Sequence, residues 1–117
     1  MNSMKDLIQF SDFQKLDIRA GKIITCDFFP EARKTAYKLT IDFGSEIGIK
    51  TSSAQITALY HPEDLLGKLI VAIINLPAKQ IGPFMSQVLV LGFPDGNGHV
   101  VLAVPDNQSV FPGSRLL

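Results

Sequence analysis

Three strands are predicted in the first half of the chain by the alternation of apolar and polar residues. Residues 18–26 have the two-residue period of a half-buried strand, and Pro30 ends it. Residues 37–43 alternate at every position, and after a turn a third strand is expected near residues 49–53. The first half of the chain is therefore predicted to be mainly β.

The second half is predicted to contain one helical region and one fully buried strand. Residues 55–66 have the best helical pattern, although Pro62 splits it and suggests a turn followed by a new helix start. Residues 69–76 are apolar on both faces, as in a strand at the centre of a barrel or sandwich. Residues 77–85 contain two prolines and a glycine, which predict a loop.

Both ends of the chain add short elements to this plan. Near the N-terminus, Ser11 or Asp12 can cap a short helix. Residues 86–93 and 99–104 are expected to pair as a hairpin around a turn at 95–98. The predicted fold class is therefore all-β: an oligonucleotide-binding (OB) fold barrel with short helices at the N-terminus and after the third strand.

Composition places the chain among soluble globular domains and excludes several other classes. Its 117 residues suit a single domain over 1–117, and 46% apolar against 19% charged residues argues against disorder and coiled coils. The longest apolar run, residues 69–74, is far shorter than the ~20 residues of a membrane span. The first ten residues mix acid and base, unlike a secretory signal, so a cytoplasmic protein with no membrane partner is expected.

Candidates for catalysis are few. The single cysteine, Cys26, falls in a strand, and His61 and His99 lack neighbours at metal-ligand spacing. No phosphate-binding glycine loop occurs, because Gly96–Gly98 is explained by a turn. We therefore expect a non-enzyme without metal or cofactor.

The formal net charge is zero, which weakens any overall attraction to nucleic acid. A local basic patch survives this balance, because Arg33, Lys34 and Lys38 follow one another without an intervening acid. Cations suited to phosphates are Arg33, Lys34, Lys38, Lys50 and Lys79. Neutral groups suited to sugar hydroxyls and base edges are Ser53, Gln55, Asn75, Gln80 and Ser86. The cations could instead form a solvated surface, and Asn75 could satisfy a backbone group at a strand end.

The order of motifs along the chain resembles the tRNA-binding domain family. The motifs are Pro30-Glu31-Ala32-Arg33-Lys34, Asp42-Phe43-Gly44, Ser52-Ser53-Ala54-Gln55-Ile56, Asn75-Leu76-Pro77-Ala78-Lys79-Gln80-Ile81-Gly82 and Ser86. The segments 53–57, 79–82 and 84–92 are most similar to the CsaA-type, export-related chaperone branch. The resemblance covers residues 13–117 and implies an OB barrel, a homodimer built from the terminal segments, and tRNA binding. For the CsaA-type branch it also implies assistance to unfolded or exported polypeptides.

One position departs from the wider family, which has glycine where this chain has Val88. The CsaA-type branch shares the change, which puts a side chain where the backbone is otherwise bare. Phe84 and Met85, just before it, are candidates for contacting peptides or bases, or for folding back on the barrel.

Both termini are unusually apolar. They could pack onto their own barrel or form the seam of a homodimer. The residues expected in that seam are Leu7, Ile8, Phe10, Val110, Phe111 and Leu116.

These features predict a homodimeric tRNA-binding protein of the CsaA type that recognises structured RNA by shape and backbone and also has chaperone activity. The alternative is a polypeptide-binding chaperone that assists protein export and has no physiological RNA ligand. Affinity should fall steeply with salt for RNA but not for peptides, so the two functions can be distinguished.

Overall fold

Nine strands and three short helices make up the computed structural model, which describes residues 3–117. The strands are β1 (Ile18–Phe28), β2 (Tyr37–Asp42), β3 (Ile49–Ala54), β4 (Leu69–Ile73), β5 (Lys79–Ile81), β6 (Phe84–Ser86), β7 (Leu89–Val90), β8 (Gly92–Pro94) and β9 (Val100–Leu102). The helices are α1 (Phe10–Gln14), α2 (Gly44–Ile47) and α3 (Pro62–Leu65).

Five of the strands form one antiparallel sheet in the order β3-β2-β1-β4-β7. The long strand β1 makes this possible, because its second half pairs with β2 and its first half with β4. A register shift between Ile23 and Thr25 marks an irregularity where β1 bends. Strand β3 approaches β6 and β7, so the sheet closes into a nearly complete barrel. The predicted all-β OB-fold barrel is confirmed.

The core fills the inside of this barrel. Strand β2 shows why the predicted alternation was informative, since Tyr37, Leu39 and Ile41 are buried while the residues between them are half-buried. Leu65 of α3 is fully buried among them and covers the core from one side. Ser52 is the buried polar residue of the core, and its Oγ donates to the carbonyl of Ser53 at 3.0 Å.

The helices differ in detail from the prediction. Helix α1 begins at Phe10 after Gln9, so neither Ser11 nor Asp12 is its N-cap. Asp12 lies within the first turn, where its carboxylate accepts from the Gln9 N–H at 3.0 Å. The helical pattern over 55–66 yields only the four residues of α3, because Pro62 can start a helix but cannot continue one. Gly67 ends the region with a positive φ of 82°.

The predicted loop over 77–85 is wrong in part, because it contains the hairpin β5–β6. Gly82 and Pro83 form its two-residue turn, with a φ of 56° at Gly82. Glycine supplies this positive φ readily, and a two-residue loop joins antiparallel strands without splaying them. The turn residues thus connect two strands instead of replacing them.

The predicted hairpin over 86–93 and 99–104 is shorter than expected. Strands β8 and β9 pair through Phe93 and Val101, whereas β7 pairs with β4 in the main sheet. The Asp95 carboxylate accepts from the N–H groups of Asn97 and His99, at 2.8 and 2.9 Å, which fixes the predicted turn. These hydrogen bonds lower the pKa of Asp95.

The C-terminal segment runs along the first half of β1. Gly113 donates to the Ala20 carbonyl, Ala20 to Ser114 and Leu116 to Ile18, at 2.8, 2.9 and 2.8 Å. Gly113 has a φ of +97°, and a Cβ on it would overlap the Phe43 carbonyl oxygen. The last residues are therefore tied to the barrel by backbone contacts that require glycine. None of the helices within residues 3–117 is long and apolar enough to cross a membrane.

Candidate nucleic-acid interface

Two lysines and two serines lie side by side across four strands on one surface. Lys38 of β2 is opposite Ser53 of β3, and Lys79 of β5 is opposite Ser86 of β6. The two pairs are joined because the Ser53 N–H donates to the Ser86 Oγ at 3.0 Å. Directly opposite residues of antiparallel strands project from the same face. We call Lys38, Ser53, Ser86 and Lys79 the basic row.

Side chains, rather than a strand ladder, hold the hairpin β5–β6 against β3. Thr51 Oγ1 donates to the Met85 carbonyl at 2.6 Å, and the Thr51 N–H donates to Gln87 Oε1 at 3.0 Å. The Gln87 N–H in turn donates to the Thr51 carbonyl at 2.8 Å. Thr51 and Gln87 therefore position both halves of the basic row. Neither residue was predicted, since a half-buried threonine in β3 and an exposed glutamine just after β6 carry no distinctive sequence signal.

A cleft of about 440 Å³ lies beside the basic row. Ser53, Gln55, Lys79 and Ser86 of the predicted set line it. The rest of its lining is mostly apolar: Ala54, Ile56, Leu76, Pro77, Ile81, Val88, Leu89, Val90, Val100 and Leu102, with Gln87. The surface thus combines cations and hydroxyls with an apolar floor.

The five predicted cations form no ion pairs with carboxylates of residues 3–117. In that range the ion pairs join only Lys15 to Asp12, and Arg19 and Arg115 to Asp17. Asp27 is opposite Lys38 in the β1–β2 register, yet forms none of these pairs. Lys38 instead lies over the Phe29 ring, with Nζ 5.6 Å from its centroid.

Other predicted cations lie at different distances from the row. Arg33 and Lys34 are exposed in the β1–β2 loop, which leads directly into the strand that carries Lys38. Lys50 is opposite Ile41, a core residue, so it belongs to the inner face of β3 and not to the face of the basic row. The β1–β2 loop and β2 thus carry three of the five cations, β5 carries one, and Lys50 lies on the other face of the sheet.

Two of the predicted neutral residues have other contacts. Asn75 accepts from the Asp17 N–H at 2.9 Å and donates to the Lys15 carbonyl at 2.7 Å. It therefore fastens the segment before β1 to the end of β4, which is the structural role that the sequence allowed. The Gln80 amide donates to the Gly82 carbonyl at 3.2 Å, within its own hairpin, and stays exposed.

Phe84 and Met85 occupy strand β6 rather than a loop. Phe84 is half-buried and meets Phe29 edge to face, with ring centroids 5.3 Å apart. Met85 is 44% exposed. Phe84 is therefore part of the wall of the barrel, and Met85 is the residue of this pair that a partner can reach.

Comparison with known proteins establishes the family. A family model described as "Putative tRNA binding domain" matches residues 18–115. The CsaA chaperone protein from Picrophilus torridus is 49% identical, with a TM-score of 0.88, covering 95% of this chain and 100% of that one. The chaperone CsaA from Bacillus anthracis is 46% identical, also with a TM-score of 0.88, covering 96% of this chain and all of the other. The chain belongs to the tRNA-binding domain family, in its CsaA-type branch.

Members of the family also occur within much longer proteins. The methionine–tRNA ligase of Pyrococcus horikoshii is 37% identical over 103 residues, which are 88% of this chain and 14% of the ligase. The chain thus spans about one seventh of the length of the ligases it matches.

The CsaA-type valine is accommodated inside the barrel. Val88 is 5% exposed and belongs to the core cluster. Its bulk therefore points away from the surface, and it does not obstruct the basic row beside it.

The reactive side chains show no catalytic arrangement within residues 3–117. Burial, assisted by Asp27, raises the pKa of Cys26 to about 11, so the thiol stays protonated near neutral pH. His61 and His99 are exposed. In the same part of the chain, no group of three or more histidine, cysteine, aspartate or glutamate side chains could hold a metal ion.

Apart from the basic row, apolar side chains of the N-terminal and C-terminal segments are exposed. Leu7 is 94% exposed and Phe111 79%. We call the set the terminal surface; it comprises Leu7, Ile8, Phe10, Phe111 and Leu116, with Val110 half-buried beside them. Two clefts in this region, of about 320 and 530 Å³, share Arg115, Leu116 and Leu117 in their linings.

Proposed function

We propose that this chain is a homodimeric, non-catalytic tRNA-binding protein of the cytoplasm, acting as one domain over residues 1–117. The observation that carries the proposal is the basic row, in which two cations flank two hydroxyls and form no ion pair within residues 3–117. Family membership supports RNA as the partner, because the matching family is a tRNA-binding domain.

The chemistry of the row suits a folded RNA backbone. Lysines contact phosphates without reading sequence, and releasing counterions from those phosphates supplies affinity. Serine hydroxyls donate to and accept from ribose 2′-hydroxyls, which distinguish RNA from DNA. Recognition therefore rests on the shape and backbone of the RNA, with Arg33 and Lys34 extending the positive surface beyond Lys38.

The terminal surface supports a dimer. Leu7, Phe10 and Phe111 are each at least 70% exposed, and large exposed apolar surface marks sites where proteins associate. A twofold dimer buries the same patch on both copies and presents two basic rows to one RNA, which raises avidity. Replacing Leu7 and Phe111 by Asp should give monomers in sedimentation equilibrium. An intact chain that stays monomeric at high concentration would contradict the dimer.

The RNA proposal is tested by removing the two cations of the row. Lys38→Ala with Lys79→Ala should weaken tRNA binding and reduce the slope of log affinity against log salt by about 0.7 to 0.9 for each phosphate that the variant no longer binds. Lys22→Ala with Lys68→Ala removes the same charge elsewhere and should leave the slope unchanged. Equal slopes in the two double variants would refute the role of the row.

Polypeptide binding is the second candidate, favoured by the apolar lining of the cleft and by exposed Met85. The related structures from Picrophilus torridus and Bacillus anthracis are described as chaperones, which supports the same idea. In its strict form, the chain assists the export of unfolded polypeptides and binds no physiological RNA.

Met85→Ala should then weaken binding of an unfolded peptide severalfold, with little salt dependence, and should leave tRNA binding within twofold. The exposed methionine Met4, which precedes the barrel strands, supplies the matched control as Met4→Ala. Phe84→Ala is less specific, because it also removes the contact with Phe29 and lowers thermal stability. Peptide binding that is unchanged in Met85→Ala would remove Met85 from this role.

A further inference from the structure

Phe28 ends β1 and Phe29 directly follows it, but only Phe29 is buried. Phe29 is 4% exposed and packs against Phe84. Phe28 is 65% exposed, although its ring centroid lies 5.4 Å from that of Tyr37 at a tilt of 58°. A large apolar ring on the surface contributes little to the core, and at the rim of the barrel it is available to a partner.

The backbone around Phe28 is fixed by its pairing with Tyr37 in the β1–β2 register and by hydrogen bonds of the next residue. The Phe29 N–H donates to the Ala36 carbonyl, and the Ala32 N–H donates to the Phe29 carbonyl, both at 3.2 Å. Tyr37, which supports the Phe28 ring, donates its hydroxyl to the Tyr60 carbonyl at 2.7 Å. The ring is therefore a preformed surface, and a partner that stacks on it costs the protein little conformational entropy.

A small cleft and a cation accompany the ring. The cleft has a volume of about 220 Å³ and is lined by Phe28, Phe29, Pro30, Ala32, Arg33, Thr35 and Ala36. Arg33 is exposed and belongs to none of the ion pairs found within residues 3–117. The site thus offers an aromatic face and a guanidinium together.

We infer that Phe28 and Arg33 form a stacking subsite for one unpaired nucleotide of the bound RNA. The base stacks on the Phe28 ring, and its phosphate contacts Arg33, the combination by which proteins hold single-stranded nucleic acid. This inference rests on the proposed function and deepens it. The basic row contacts the backbone of any folded RNA, whereas this subsite requires a nucleotide that is not in a duplex.

The test uses three RNA probes: folded tRNA, a single-stranded uridine hexamer and a blunt RNA duplex. Phe28→Leu keeps an apolar side chain but loses the aromatic face, so it should weaken hexamer binding about tenfold, as expected for one stacked base. Binding of the duplex should stay within twofold. Phe93→Leu is the matched control, because Phe93 is a 66% exposed phenylalanine on strand β8.

Phe28→Trp supplies a second readout, since the chain contains no tryptophan. Its indole should bind the hexamer at least as tightly as the original ring, and its fluorescence should be quenched on binding. A hexamer affinity equal in Phe28→Leu and wild type, or an unquenched indole at saturation, would overturn the subsite. If tRNA still binds through Lys38 and Lys79 in that case, the proposed function stands alone. A wild-type chain that binds none of the three probes would overturn both.

Discussion

Cations lie both in the basic row and in the terminal region, where the C-terminal segment meets the start of β1. Within residues 3–117, the cations of the terminal region are paired with carboxylates and those of the basic row are not. Arg19 donates to both carboxylate oxygens of Asp17, at 2.6 and 3.3 Å, and to the Gly113 carbonyl at 3.0 Å. Arg115 lies 3.8 Å from the same carboxylate. Lys38 and Lys79 belong to none of the ion pairs within the described part of the chain. Arginines that hold the protein together thus have a carboxylate partner there, whereas the lysines proposed to meet a ligand do not.

The protonation behaviour of Arg19 fits this contrast. The hydrogen bond with Asp17 raises the pKa of Arg19, outweighing the opposite effect of burial. The guanidinium thus stays charged and ties the C-terminal segment to β1. The equal totals of acidic and basic residues conceal this division, because the carboxylate of Asp17 serves two arginines.

The largest expected effect concerns the close approach of the C-terminal segment. Gly113→Ala introduces strain at a positive φ and an overlap with the Phe43 carbonyl, so the free energy of unfolding should fall by about 2–5 kcal/mol. Gly48→Ala is the control, since Gly48 has a φ of +86° and open space around its Cβ position. It should cost only the backbone strain of its φ and ψ, about 1–3 kcal/mol. Equal losses of unfolding free energy in urea would mean that the C-terminal segment shifts to relieve the overlap at no energetic cost.

The arginine network should contribute less. Arg19→Met keeps the apolar stem but removes three hydrogen bonds, and we expect a loss of about 1–2 kcal/mol because the pair is partly exposed. Lys15→Met disrupts the pair with Asp12, whose side chains are 77% and 42% exposed, and should cost less than about 0.5 kcal/mol. If thermal unfolding shows the same loss for both, the terminal cations have no special structural role.

In the basic row, the expected effect on stability is smaller than that of Arg19→Met. Ser86→Ala leaves the Ser53 N–H without its acceptor, which should cost about 0.5–1 kcal/mol and weaken tRNA binding by loosening β6 from β3. Ser45→Ala, an exposed change on α2, should alter stability by less than about 0.5 kcal/mol and leave binding unchanged. A stability loss in Ser86→Ala without any change in tRNA affinity would mean that the Ser86 hydroxyl has no role in RNA binding.

The main strands were predictable because each has one buried face. Residues 37–43 alternate so strictly that Tyr37, Leu39 and Ile41 could be placed in the core from the sequence alone. The hairpin β5–β6 was missed for the opposite reason. Its strands have three residues each and are mostly exposed, so they show no alternation, and the Gly82–Pro83 turn that joins them resembles a loop signal.

The chemistry of the site was predictable in type but not in arrangement. The motifs shared with the family contain Ser53, Lys79 and Ser86, and the local run of basic residues indicated Lys38, yet neither showed that the four would form one row. That arrangement depends on the register of β2 with β3 and of β5 with β6, which is set by pairing between distant segments. Asn75 could not be assigned from sequence for the same reason, since its partners lie about sixty residues away.

The central claim is that the cations of the basic row bind RNA phosphates. The most direct measurement titrates the wild-type chain with folded tRNA and with an unfolded peptide, each at about 50 and about 200 mM salt. We expect tRNA affinity to fall at least tenfold between these concentrations, because released counterions dominate it. Peptide affinity, if present, should change little. A tRNA affinity that does not depend on salt, or peptide binding without any tRNA binding, would contradict this account.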